Sequence, residues 1–311
     1  MKIKHLTRNE IDTTRWDQTI QLFPPGFPYA YSWYLDCVAG GKWSALVEEG
    51  YRYVMPLVWN KKIPGIKQVY QPLLSQQLGV FGDHVDSDIV RLFIQSIPSE
   101  YRYIQMCLHG HSGDFEGKSD GLFKNRTNLI IELNHDYEEI QAHYSKSLKW
   151  RIKKAQENNK LTKTVDVGEL VGFYKRSMRG KLRLKESNYS MFEGLFRELI
   201  ERKCGSAYVV EDNNSNIGCM AFFIETDKRI INIFGTSNDE GKKINSMHYL
   251  IDQVIQIHAG QDKLFDFEGS ELKGVSDFFR SFGSIEDNYM EYQKDQLPFW
   301  AKMLKHRTIF P

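Results

Sequence analysis

The stretch that most restricts the fold is a meander in the second half of the chain. Residues 207–211 and 217–225 are rich in Val, Ile, Phe and Tyr, and they flank Asp212-Asn-Asn-Ser-Asn216, a turn cluster tolerant of positive φ. Asp227-Lys228 then turns the chain into a third run, 229–235. A helix follows at about 243–258, with Leu250, Ile251, Val254 and Ile255 apolar, then a strand at 263–268, a helix at 274–281 and a strand at 288–293. Three antiparallel strands followed by helix, strand, helix, strand call for a mixed, mostly antiparallel sheet flanked by helices, an α+β architecture.

The first half has a similar order. Residues 43–49 and 51–59 form a hairpin about Gly50, and further strands are expected at 67–70, 77–81, 102–108 and 128–133. Between these, 86–97 has helical spacing of Ile89, Leu92, Phe93 and Ile97, with Asp86 as cap. A chain of 311 residues suits two domains, each with its own core, and the boundary is expected near Asn134-His135, giving 1–134 and 135–311. The second domain opens on a helix over 136–158 whose Ile140, Tyr144, Leu148, Ile152 and Ala155 share one stripe, with Lys146, Lys149, Lys153 and Lys154 off it. After residues 164–167, helices at 169–178 and 189–202 lead to the meander.

Hydrophobic content of 41% with 26% charged residues fits a globular protein, and the 13% aromatic content fits aromatic-rich sheets. The N-terminus is charged where a secretory signal needs an apolar run, and no stretch has the length of a membrane span, so a cytoplasmic protein is expected. Cys37, Cys107, Cys204 and Cys219 lack metal or redox spacing and sit in apolar segments, as reduced thiols do. His109-Gly-His111 has no third ligand at a useful spacing and reads as a loop, so no metal is expected.

Charge is uneven although the net is +1. Between Ser145 and Lys185 thirteen Lys or Arg stand against three acids, which leaves the rest of the chain at −9. Such a segment is either a solvated helix face or a surface for an anionic partner.

Three motifs then occur in order. Ser145-Lys-Ser-Leu-Lys-Trp-Arg-Ile-Lys-Lys-Ala155 opens the second domain, Phe265-Asp-Phe-Glu-Gly-Ser270 ends a strand, and Phe278-Phe-Arg-Ser-Phe-Gly283 closes a short helix. Together they resemble the FemABX-like acyltransferases, whose chains consist of two tandem GNAT-like (acyl-CoA N-acyltransferase fold) domains. The resemblance implies acyl or aminoacyl transfer to an amine by direct attack on an activated ester, with aminoacyl-tRNA as donor and a nucleotide-linked cell-wall precursor as acceptor in well-known members. No covalent intermediate is needed, and no nucleophile elbow or Cys-His arrangement is recognisable.

The resemblance places the active site in the second domain. The family's Phe-Lys pair matches Phe279 and Arg280; arginine keeps the charge for a phosphate or oxyanion but cannot serve as a neutral base. Asp266 and Glu268 alternate with Phe265 and Phe267, so both carboxylates are expected on one face, where they either handle the amine's proton, cap the next helix or pair with basic residues. Lys149, Arg151, Lys153 and Lys154 are candidates to hold an anionic donor or acceptor. In the loop 235–246, Lys242 and Lys243 could meet a phosphate, yet the glycine spacing with which GNAT enzymes hold coenzyme A is absent. No cofactor is therefore required, with acyl-CoA or an acyl carrier as the alternative donor. A non-catalytic module for RNA or another anionic ligand accounts equally for the basic density. Oligomeric state is not legible.

Overall fold

The computed structural model describes residues 1–109 and 121–308. His111 of the His-Gly-His motif lies outside the described residues. The chain divides into two compact units, 1–126 with 288–311, and 127–287.

The first unit begins β1 (Ile3–Thr7), α1 (Thr13–Gln21), α2 (Ser32–Ala39), β2 (Trp43–Glu48), β3 (Tyr53–Ile63) and β4 (Ile66–Val69). It continues with β5 (Phe81–Gly82), α3 (Ser87–Gln95), β6 (Tyr101–Leu108) and β7 (Leu122–Arg126). Asp86 caps α3 as expected, its carboxylate accepting from Ile89 N. Of the strand expected at 77–81 only Phe81–Gly82 pairs regularly, with β3.

The second unit contains β8 (Leu129–Glu132), α4 (Tyr137–Ala142), α5 (Lys146–Gln156), β9 (Lys160–Thr164), α6 (Val167–Ser177) and α7 (Glu186–Glu201). The meander is β10 (Gly205–Glu211), β11 (Ile217–Glu225) and β12 (Arg229–Ser237). After it come α8 (Asp239–Lys243), α9 (Ser246–His258), β13 (Leu264–Asp266), α10 (Lys273–Arg280) and β14 (Ile285–Glu286). The chain then returns to the first unit as β15 (Tyr289–Asp295) and α11 (Phe299–Thr308).

Sheet order is β1-β2-β3-β4-β6-β15-β7 in the first unit and β14-β8-β13-β12-β11-β10-β9 in the second. This corrects two expectations. The boundary near 134–135 moves to 126/127, because β8 pairs with β13 and β14. The strand expected to complete the second domain, 288–293, instead lies between β6 and β7 of the first. Glu291 holds it there, accepting from Gln105 Nε2 at 3.0 Å and from Arg126.

The single helix expected over 136–158 is two. Ser145 interrupts it: its Oγ accepts from Leu148 N at 3.2 Å as the cap of α5, and its own N–H donates to Ser281 O at 2.8 Å instead of continuing α4. The stripe survives the break, since Ile140, Tyr144, Leu148 and Ile152 join Leu250, Ile251, Val254 and Ile255 of α9 in one core. On the sheet's opposite face α6 and α7 contribute an aromatic stack, Phe196 on Phe222 at 4.3 Å and Tyr174 on Phe234 at 4.1 Å. Among the described residues no helix is long and apolar enough to cross a membrane, and no group of three or more His, Cys, Asp or Glu could hold a metal ion. All four cysteines are unbridged.

Candidate acyl-transfer site

The Phe265-Asp-Phe-Glu-Gly-Ser270 segment does not stay extended. Asp266 Oδ1 accepts from Glu268 N at 2.8 Å, an Asx turn that ends β13 and sends Glu268 to φ 57°. The expected alternation therefore stops at Phe267, and Asp266 and Glu268 do not share a strand face. Asp266 is fully buried and accepts from Arg229 Nη1 at 2.7 Å and Asn128 Nδ2 at 3.0 Å. Arg229 also reaches Asp287 at 3.1 Å. This carboxylate anchors β12, β13 and the segment before β8, the basic-partner alternative among the roles expected for it. Gly269 is fixed by close approach: at φ 57° a Cβ there would lie 2.1 Å from Thr127 O.

Phe279, expected to touch substrate, is instead a core residue stacked on Phe267 at 4.6 Å. Arg280 projects from the exposed side of α10 and pairs with Glu286 Oε1 at 2.5 Å. Phe278 is only partly buried, and its ring meets that of His248 edge-on at 4.8 Å.

Strands β12 and β13 run parallel but pair only from Arg229–Leu264 to Ile231–Asp266. Beyond that point β12 continues to Ser237, whereas the other chain leaves toward β8, with Phe267 N donating to Leu129 O. A register shift opposite Phe222 and Phe223 skips Ile233, a bulge that turns the local N–H and C=O groups. The result is a wedge between two parallel strands. The equivalent junction of the first unit, between the parallel β4 and β6, is occupied by its own chain. There Gln71 Oε1 accepts from Cys107 N at 2.9 Å, Leu78 N donates to Cys107 O at 2.7 Å, and His109 N donates to Leu78 O at 3.1 Å.

After β12, α9 starts from Asn245, a buried residue in the left-handed region. Arg151 Nη1 donates to Asn245 Oδ1 at 3.1 Å, which ties the basic helix α5 to this start. His248 sits in the first turn of α9. Burial, with a smaller contribution from the Arg151 charge, pushes its pKa down to about 4, so the imidazole is neutral at neutral pH. The other expected cations are placed less centrally. Lys149 Nζ caps Ala142 O at 2.9 Å, Lys154 lies over the exposed Trp150 ring, and Lys153 is exposed. Lys242 and Lys243 pair with Asp239 and Glu240 one turn back on α8.

His248 had no role in the sequence reading. The signal that marks it is a polar side chain on the apolar stripe of α9, one turn before Ile251; Asp252 at the next turn is a second, fully buried and bonded to Tyr137 OH at 2.7 Å.

Among solved structures, the crystal structure of FemX superposes with a TM-score of 0.65 over 99% of both chains at 12% identity. The fold is the tandem GNAT fold. A tandem GNAT protein from the clavulanic acid biosynthesis pathway matches with a TM-score of 0.52 over 96% of this chain and 99% of its own, at 11% identity. L-PGS from Bacillus licheniformis matches at 0.57 over 95% and 96%, at 9% identity. No family model and no curated protein matches the sequence. The architecture expected from the FemABX-like resemblance is thus present along nearly the whole chain.

Proposed function

We propose that the protein transfers an acyl or aminoacyl group to an amine at the β12–β13 wedge of its second unit. The observation that carries this reading is the contrast between the two units: among the described residues no strand pairs with β12 past Ile231 on its β13 side, whereas in the first unit Gln71 and Leu78 bond to Cys107 at the β4–β6 junction. The β13-side edge of β12 past Ile231 would offer main-chain donors and acceptors to an extended donor, and those near the bulge suit a developing oxyanion.

In the reaction the amine lone pair attacks the carbonyl carbon of an ester or thioester. A C–N bond forms, the C–O or C–S bond breaks, the amine loses a proton and the leaving group gains one. His248, neutral and close to the start of α9, is the proposed proton acceptor, and Arg280 the proposed partner for anionic charge. No resident cofactor is needed.

The basic surplus between Ser145 and Lys185 favours a polyanionic donor, aminoacyl-tRNA, in the cytoplasm, with a nucleotide-linked cell-wall precursor as one acceptor class. The test is to incubate the protein with charged tRNA carrying labelled amino acids and a panel of amines. Conversion of ester-bound label to amide, suppressed steeply by salt and reduced at least tenfold in His248→Gln, is expected. Thiol release from acyl-CoA in place of ester consumption would move the donor to a thioester. Neither reaction above protein-free hydrolysis would overturn the reading.

A further inference from the structure

A cavity of about 520 Å³ opens in the second unit beside α4, β8 and β14. Buried Ile131, Ile140 and Phe282 form its apolar floor, and its exposed lining includes Glu132, Glu139, His135 and His143. In the sheet order β14-β8-β13-β12 these strands lie on the far side of β13 from the wedge, so this is a separate site. The volume falls within the range of small-molecule pockets, roughly 300–1,000 Å³.

The walls are held by contacts that need no ligand. Gly283, at φ 74°, lies so close to the end of α4 that a Cβ there would stand 2.7 Å from His143 Cβ. Ser145 N donates to Ser281 O at 2.8 Å, and the Phe282 ring meets Tyr144 edge-on at 5.3 Å. The Phe-Gly that ends the third sequence motif is thus a wall of this cavity.

Charge selects the ligand. Among the described residues the lining contains two glutamates and no Lys or Arg, and Glu139 Oε2 lies 3.1 Å from His135 Nδ1. An anionic head would meet like charge, while an ammonium would meet carboxylates above an apolar floor.

We propose that this cavity binds a primary amine carried on an apolar body. The test is isothermal titration of the full chain with n-butyl-, n-hexyl- and n-octylamine and with the matching alcohols and carboxylates. Amine affinity is expected to rise about fourfold per buried methylene until the floor is covered. Each alcohol should bind more weakly than its amine by about twofold to fivefold per rim carboxylate. The double variant Glu132→Gln with Glu139→Gln should erase that advantage and leave the alcohols unchanged. Ala142→Trp, at the exposed mouth, should block both while melting with the parent. Absence of amine binding, a carboxylate that binds as tightly as its amine, or unaltered binding in a normally melting Ala142→Trp would each overturn the proposal. Binding is read without turnover, so its failure and that of the acyl-transfer reading are separately visible.

Discussion

Arg229 and Asp266 meet at 2.7 Å with side-chain exposures of 6% and 0%, so the most conspicuous carboxylate of the C-terminal motif is the buried half of an ion pair. Removing only the acid takes the nearer carboxylate, at 2.7 Å, from a buried guanidinium that also reaches Asp287 at 3.1 Å. Asp266→Ala is therefore expected to lose about 3–5 kcal/mol in guanidinium unfolding. The paired replacement Asp266→Leu with Arg229→Met should recover much of that loss, since both desolvation costs vanish together. Equal stabilities for parent and single variant would contradict this assignment.

Acid sensitivity follows from two histidines. His248 and His109, the latter packed between Phe23 and Phe81, are each pushed down by burial to about 4 from 6.5. Because the folded values lie below the unfolded one, the unfolded chain takes up the extra protons between pH 6.5 and 4, and stability falls as pH falls through that window. Each histidine contributes up to about 1.4 kcal/mol per pH unit, roughly 3 kcal/mol apiece across the window. Urea midpoints from pH 7 to 4.5 should show the decline, and His248→Gln and His109→Gln should each flatten it.

Gly269 should tolerate no side chain. Gly269→Ala combines a left-handed φ with a Cβ driven onto Thr127 O, and a loss of about 2 kcal/mol or more is expected in thermal unfolding. A melting temperature equal to the parent's would mean that the turn relaxes freely.

Arg280 offers the opposite case. Its pair with Glu286 is 44% and 46% exposed, so Arg280→Ala should change stability by no more than about 1 kcal/mol. A large fall in acyl transfer with unchanged melting would then be chemical in origin; full activity would remove Arg280 from the mechanism.

The element order was readable because periodicity reports local geometry. The meander, the stripe of α9 and the cap of α3 lie where Val, Ile and Phe runs, four-residue spacing and Asp86 put them. What spacing does not report is which sheet a strand enters, so it places β8 and β15 in the wrong units: pairing across more than a hundred residues leaves no local mark. The same limit applied at the site. Phe265-Asp-Phe-Glu reads as four extended residues until the Asp266 side chain bonds to Glu268 N and turns the backbone. Phe279 lies in the core and His248 goes unmarked for a related reason, since an aromatic helix face is indistinguishable from a binding face without its neighbours, and one histidine among apolar residues carries no partner in the sequence.

The position of β15 between β6 and β7 sets an order of events during synthesis. All seven strands of the second unit lie between Leu129 and Glu286, so that sheet can close as soon as they have emerged. The first unit, made earlier, must wait with the edge of β6 bare and β7 without its partner until residues 289–295 arrive. At 5–20 residues per second the delay is roughly 10–30 s, long enough for an unpaired edge to need shielding from other chains.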